Sequence, residues 1–231
     1  ASWATVSGWA TIVNDDATVS VNDVTVIEGN TQGAFLGAFV SRAANGGLDL
    51  SSGLAFGPDG NLYVGSLNTD EVLRYDGTSG AFLGAFVASG SGGLNGPGAG
   101  GLIFRPDGLL YVLSRATSSV LRYDAASGAF VDEFVAANSG GLLKPKGMTF
   151  GPDGALYVSS ETDEVLRYDG TTGTFLGAFV SAGSGGLNNP RNLTFGPDGR
   201  LYVSSVDTDS VLRYDGATGA FVDAMVPSGS A

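Results

Sequence analysis

One unit recurs four times along the 231 residues, and a chain this repetitive is expected to fold as an array of like modules. The unit reads Gly-Leu-Ala-Phe-Gly-Pro-Asp-Gly, then Asn-Leu-Tyr-Val-Gly-Ser, then Glu-Val-Leu-Arg-Tyr-Asp-Gly. It starts at Gly53 and returns with small changes at Gly101, Gly147 and Asn192. The phenylalanines ahead of the Pro-Asp turn, Phe56, Phe104, Phe150 and Phe195, are spaced by 48, 46 and 45 residues. That is the period of a four-stranded propeller blade. A shorter phrase, Gly-Ala-Phe-Leu-Gly-Ala-Phe-Val and its variants, occurs five times, at 33–40, 80–87, 128–135, 173–180 and 219–226. The mismatch of five against four constrains how the array closes.

Each unit divides into four strands. In the first, strand A is 53–56 and stops at Gly57-Pro58-Asp59-Gly60, where Pro presets φ and Gly takes the positive φ of a tight hairpin. Strands B (61–66) and C (71–75) are rich in Leu, Val and Tyr. Asp76-Gly77-Thr78-Ser79-Gly80 then turns the chain into strand D, 81–87. Leu54-Ala55-Phe56 and Phe82–Val87 offer apolar side chains on both faces, as a sheet sandwiched between neighbours must. The sequence therefore predicts an all-β fold, a β-propeller of four-stranded antiparallel blades. Four blades are clear, and an irregular fifth is predicted from the N-terminus.

At Gly-Leu-Ala-Phe-Gly-Pro-Asp-Gly-Asn-Leu-Tyr-Val and Glu-Val-Leu-Arg-Tyr-Asp-Gly the chain resembles the NHL-repeat propellers and the related gluconolactonase-like and virginiamycin-lyase-like families, over about 31–226. Residues 1–30 differ in character. Thr11-Ile-Val-Asn-Asp-Asp16 and the following Val-rich run to Gly29 resemble the junction between two Calx-β units, too short to build a complete one. The expected division is a Calx-β-like segment over 1–30, then NHL-like repeats over 31–231. The repeats fall at about 31–77, 78–125, 126–170 and 171–216, with a final strand at 217–226. Residues 3–13 and 17–28 hold enough Val, Ile, Thr and Trp for two or three strands that complete the fifth blade with 33–40. The alternatives are closure between chains, as a larger ring or filament, and a chain that is a fragment of a longer propeller. Ala1 in place of Met is what a processed or excised chain would show.

The formal net charge of -12 with two lysines argues against a nucleic-acid partner, which needs clustered cations. Apolar runs are strand-sized, far below the roughly 20 residues of a membrane-spanning helix, and no basic-then-apolar leader opens the chain. The chain has neither cysteine nor histidine, which removes thiolate metal sites, disulfides and the commonest general base.

Four arginines, Arg74, Arg122, Arg167 and Arg213, recur beside a tyrosine on strand C. They could ring an anion, but the outer position of strand C predicts ion pairs, with the Asp following each tyrosine or with a neighbouring blade. The Pro-Asp carboxylates Asp59, Asp107, Asp153 and Asp198 are expected to cap their own turns. The connections from strand D to the next strand A diverge between copies and should line one propeller face. They carry Lys144, Lys146, Asn188, Asn189, Arg191 and Asn192, the candidate site for an anionic or sugar-like ligand. Acidic residues of the B-to-C loops, among them Asp70, Glu71, Asp163, Glu164, Asp207 and Asp209, share that face but match no dedicated calcium loop. The Calx-β resemblance implies calcium ligation by Asp15, Asp16 and Glu28, so calcium is the one cofactor in view.

Enzymatic members of the similar families need a carboxylate and asparagine cluster around a metal, or a histidine and glutamate pair, in the channel. This chain offers largely apolar strand A residues there. The expected function is a non-catalytic extracellular or cell-surface scaffold that presents its variable loops to a protein or glycan partner. The alternative is a building block of an extracellular assembly; a lactonase-like hydrolase or a lyase is a third reading.

Overall fold

The computed structural model describes residues 37–227 and 229, together with the backbone of four short strands nearer the N-terminus. Contacts divide the chain into two compact units, 1–38 and 39–231. In the first, β1 (Ala4–Val6) pairs with β2 (Trp9–Thr11), and β3 (Thr18–Val21) pairs with β4 (Val24–Ile27), both antiparallel.

In the second unit, four antiparallel four-stranded sheets stand in a ring and form a four-bladed β-propeller. Blade 1 is β5 (Ser51–Phe56), β6 (Leu62–Ser66), β7 (Glu71–Tyr75) and β8 (Phe82–Val87). Blade 2 is β9 (Pro97–Phe104), β10 (Leu109–Ser114), β11 (Ser119–Asp124) and β12 (Phe130–Val135). Blade 3 is β13 (Met148–Phe150), β14 (Leu156–Ser160), β15 (Glu164–Tyr168) and β16 (Phe175–Val180). Blade 4 is β17 (Pro190–Phe195), β18 (Leu201–Ser205), β19 (Ser210–Tyr214) and β20 (Phe221–Val226). The connections carry short 3-10 turns, and no α-helix occurs among the described residues.

The turn residues do what their chemistry dictates. Asp59 accepts hydrogen bonds from the Asn61 N–H at 3.1 Å and the Tyr63 hydroxyl at 2.9 Å, closing the A–B hairpin and tethering the strand B tyrosine. Asp107, Asp153 and Asp198 repeat the tyrosine bond to Tyr111, Tyr157 and Tyr202. The Asp after each strand C tyrosine caps the C–D turn: Asp124 accepts from the Ser127 N–H at 2.8 Å and its hydroxyl at 2.6 Å.

That use of Asp124 and its counterparts corrects the expected arginine pairing. Arg122 forks onto Asp132 (Nε to Oδ1 2.7 Å, Nη2 to Oδ2 2.6 Å), and Arg213 forks onto Asp223. Strand D has Gly84 and Gly177 at the corresponding positions of blades 1 and 3. There Arg74 and Arg167 turn instead to the Pro-Asp carboxylates Asp59 and Asp153.

Three blade-to-blade junctions are built alike. A strand B tyrosine is flanked edge-on by the strand D phenylalanine of its own blade and the strand A phenylalanine of the next. The sets are Tyr63 with Phe86 and Phe104, Tyr111 with Phe134 and Phe150, and Tyr157 with Phe179 and Phe195, at centroid distances of 4.7–5.2 Å. Beside each set a strand D valine and a loop leucine (Val87 with Leu94, Val135 with Leu142, Val180 with Leu187) are buried in the same junction core.

A polar latch accompanies each core. Asp70 accepts the Gly96 N–H at 2.6 Å, Ser118 the Lys144 N–H at 3.0 Å, and Asp163 the Asn189 N–H at 2.7 Å. The donors Gly96, Lys144 and Asn189 share a positive φ, as does Leu50 at the same place in blade 1.

The fourth junction, between blades 4 and 1, has no such core among the described residues. Leu54 and Phe56 on strand A of blade 1 are 67% and 61% exposed, whereas Leu102 and Leu193, at the place of Leu54 in blades 2 and 4, are 6% and 7% exposed. Residues 33–36 of the unmatched phrase lie outside the described residues. Phe39, its seventh residue, sets its carbonyl against Gly80 as Phe86 does against Gly128 and Phe179 against Gly219. Val40 and Leu48 pack against blade 1, and the Tyr75 hydroxyl donates to Asn45 O at 2.8 Å, as Tyr123 does to Ser91 O. The end of the phrase thus holds the place of a preceding strand D, although residues 37–40 form no strand.

Candidate functional site

The loops from strand D to strand A and from B to C gather on one propeller face. Two of the face's cations come from the blade 3 entry loop, in which Lys144 has a left-handed φ of 39°. The Lys144 and Lys146 side chains both reach Glu161, the residue that follows β14.

Glu161 is the electrostatic centre of the cluster. Its carboxylate pairs with Lys144 Nζ at 3.1 Å, Lys146 Nζ at 3.6 Å and Arg115 at 3.7 Å. The hydrogen bond from Lys144 is the main influence holding the Glu161 carboxyl below its usual range, with smaller help from the neighbouring charges. Lys146 is nearly buried and also bonds the Asn189 side-chain oxygen. Asn189 in turn donates through Nδ2 to Asp207 at 2.9 Å.

Two adjoining hollows result. One, of about 310 Å³, is lined by Ser51, Ser52, Arg115, Lys146 and Arg191 with Leu50 and Leu67, so all four blades contribute to it. The other, of about 220 Å³, is walled by Lys146, Glu161, Asp163, Asn188, Asn189 and Asp207. Among the described residues the Arg191 side chain makes no hydrogen bond or ion pair, and Arg191 is exposed. One carboxylate is therefore shared by three cations while a fourth stands free, and the larger hollow carries a local positive excess in a chain of net charge -12.

The structure thus brings Lys144, Lys146, Asn188, Asn189 and Arg191 together on this face. Asn192 is set apart: it lines a different hollow on the axis, of about 420 Å³, with Gly53, Gly100 and Met148. Sequence reasoning missed Arg115 and Glu161. The signal was available, because Leu67, Arg115, Glu161 and Val206 occupy one column of the repeat and differ in every copy.

The B-to-C loop carboxylates are largely spoken for. Asp70 and Asp163 latch neighbouring blades, and Glu164 accepts from Thr162 at 2.9 Å. No three carboxylates converge on a point among the described residues. Asp15, Asp16 and Glu28, the calcium ligands implied by the Calx-β resemblance, lie outside the described residues.

A likeness to a solved structure bears on the fold. Hydrazine synthase of Kuenenia stuttgartiensis superposes with a TM-score of 0.60 at 20% identity, over 87% of this chain and 53% of that one. The shared feature is the propeller. This chain spans about half the length of that neighbour, and at such identity the likeness speaks for the architecture and not for chemistry. No protein-family model and no curated protein matches the chain.

Proposed function

We propose that this chain is a non-catalytic binding scaffold of NHL-like repeats, presenting the loop face to a protein or glycan partner through an anionic group of that partner. The observation that carries the reading is the hollow lined by Arg115, Lys146 and Arg191, where cations from three consecutive blades converge in an otherwise acidic chain. Guanidiniums recognise carboxylates in a planar, two-pronged geometry, and Ser51 and Ser52 add hydroxyls suited to a carboxylate or a sugar. The acidic remainder of the surface repels other anions and confines them to this face. Turnover has no evident agent: Lys144, Lys146, Arg115 and Glu161 are engaged with one another, Asp70 and Asp163 latch neighbouring blades, and the chain has no histidine to serve as a general base. An extracellular or cell-surface setting suits a lysine-poor acidic repeat protein with a Calx-β-like segment, and belongs to the same proposal.

The test is calorimetric titration with oligogalacturonate as the anionic glycan and a poly-glutamate peptide as the acidic protein mimic, with uncharged maltooligosaccharide as control. The reading expects one of the two anionic probes to bind, with affinity falling at least tenfold in Arg191→Ala and weakening with salt. Binding of neither, or equal binding by Arg191→Ala, would reject it.

A further inference from the structure

The surfaces left bare at the seam between blades 4 and 1 are two halves of one junction. On blade 4, Tyr202 is the one strand B tyrosine without a phenylalanine at its edge among the described residues, and Met225, at the strand D place held by Phe86, Phe134 and Phe179 in the other blades, is 57% exposed. On blade 1, Phe56 is the one strand A phenylalanine without a tyrosine. The polar latch is split in the same way. Asp209 stands where Asp70, Ser118 and Asp163 accept, and its carboxylate has no partner among the described residues. The Leu50 N–H stands where Gly96, Lys144 and Asn189 donate, and it too is unpartnered. The tyrosine-phenylalanine edge and the latch are therefore each divided between the two ends, and the strand D place is the one filled twice, by Phe39 and by Met225.

The missing tyrosine cannot come from the N-terminal segment, because no tyrosine precedes Tyr63. At the axis the entries of blades 2, 3 and 4 touch: a Cβ on Gly100 would overlap the Asn192 side chain, and one on Gly147 would overlap the Arg191 carbonyl.

We propose that a second copy of this chain occupies the seam, head to tail. Blade 4 of one copy packs on blade 1 of the next, Tyr202 and Met225 enclose the Phe56 ring, and Asp209 accepts the Leu50 N–H. The contact continues the packing already present three times within the chain. It is heterologous, so successive copies add until a ring closes or a filament grows. Phe39, 45% exposed, holds the place against Gly80 that Met225 takes in the assembly, and it moves outward when the copies join.

A heterologous contact has a signature that other contacts lack. Phe56→Asp disables the blade 1 face and Tyr202→Asp the blade 4 face, each at a side chain outside the three formed cores. Each purified variant should have the mass of one chain by light scattering at every concentration. An equal mixture should yield a species of twice the 23.3 kDa chain mass and nothing larger, since each pair retains one intact face of each kind. A mixture that stays at the single-chain mass, or association by either variant alone, would overturn the proposal.

Cysteine pairs guard against variants that misfold, because the chain has no cysteine of its own. Chains bearing Phe56→Cys and chains bearing Tyr202→Cys should be joined to each other, and not to themselves, by a short bismaleimide cross-linker that spans the edge-on ring contact. If a chain carrying both substitutions instead closes an internal cross-link as a monomer, the ring completes within one chain and the proposal fails.

Discussion

Phe150 and Phe56 occupy the same position of the repeat, so replacing each by alanine isolates what a formed junction contributes. Phe150 packs against the core between blades 2 and 3, meets Tyr111 edge-on at 5.2 Å and carries the Arg105 guanidinium 3.8 Å from its ring centre. Truncating a fully buried phenylalanine costs about 3–5 kcal/mol. Phe150 is partly buried, which lowers the transfer part, while the aromatic and cation contacts return about 0.5–1.5 and 0.5–1 kcal/mol. The net expectation is about 3 kcal/mol, or a fall in Tm of about 6–12 °C for a chain of this size. Phe56 is 61% exposed with no aromatic partner, and its truncation should cost under about 1 kcal/mol. The assay is thermal and urea unfolding of both variants, at a dilution where the parent has the mass of one chain. Equal losses at the two positions, or a loss below about 1 kcal/mol at Phe150, would refute the junction account.

Other outcomes follow from the same contacts. Asp163→Ala removes the acceptor of the Asn189 N–H and should cost about 1.5–3 kcal/mol, whereas Asp209→Ala should leave the melting of the single chain unchanged. Gly173→Ala combines a φ of 71° with overlap of the Phe134 carbonyl and should cost about 2 kcal/mol or more, read by urea unfolding. The pH profile of stability should be flat between about pH 5 and 9, since the chain has no histidine to titrate there. The Arg122 fork holds the Asp132 carboxyl below its ordinary value, a stabilisation present above about pH 4 and lost as the pH falls through the lowered folded value. Burial first, then the bond to Asp153, pushes the Tyr157 hydroxyl up to about 12. That contribution is complete below about pH 10, where the unfolded tyrosine stays neutral, and is lost as the pH rises through the folded value. Urea midpoints across pH 2–12 would show both arms, and a maximum confined to one narrow pH would contradict the assignment.

The blades were legible because their turns are written in residue types that permit few alternatives. Gly-Pro-Asp-Gly and Asp-Gly-Thr-Ser-Gly fix where strands end, and the period of Phe56, Phe104, Phe150 and Phe195 marks the four blades; the expected fifth does not form among the described residues, where β1–β4 make two separate two-stranded sheets and 37–40 make no strand. Strand A of blade 2 runs from Pro97, four residues before the repeated motif, because a register shift between Val112 and Ser114 lets the loop residues join the sheet. A motif search cannot see that extension. The arginine partners escaped for a different reason: they depend on whether the facing strand D residue is Gly84 or Asp132, a register known once strands C and D are paired. At the site, attention to the lysine-bearing loop found Lys144 and Lys146, but their counterion Glu161 comes from the connection between strands B and C of blade 3, which reads as an ordinary polar turn. The split of the aromatic set between Phe56 and Tyr202 needed side-chain exposure, because every copy of the motif looks complete as text.

The most direct measurement is the light-scattering mass of the unaltered chain over a hundredfold range of concentration. A mass that climbs from 23.3 kDa in whole multiples as concentration rises is the predicted result, because the bare ends of the propeller then find each other. A mass fixed at 23.3 kDa throughout would mean that the seam is closed within one chain.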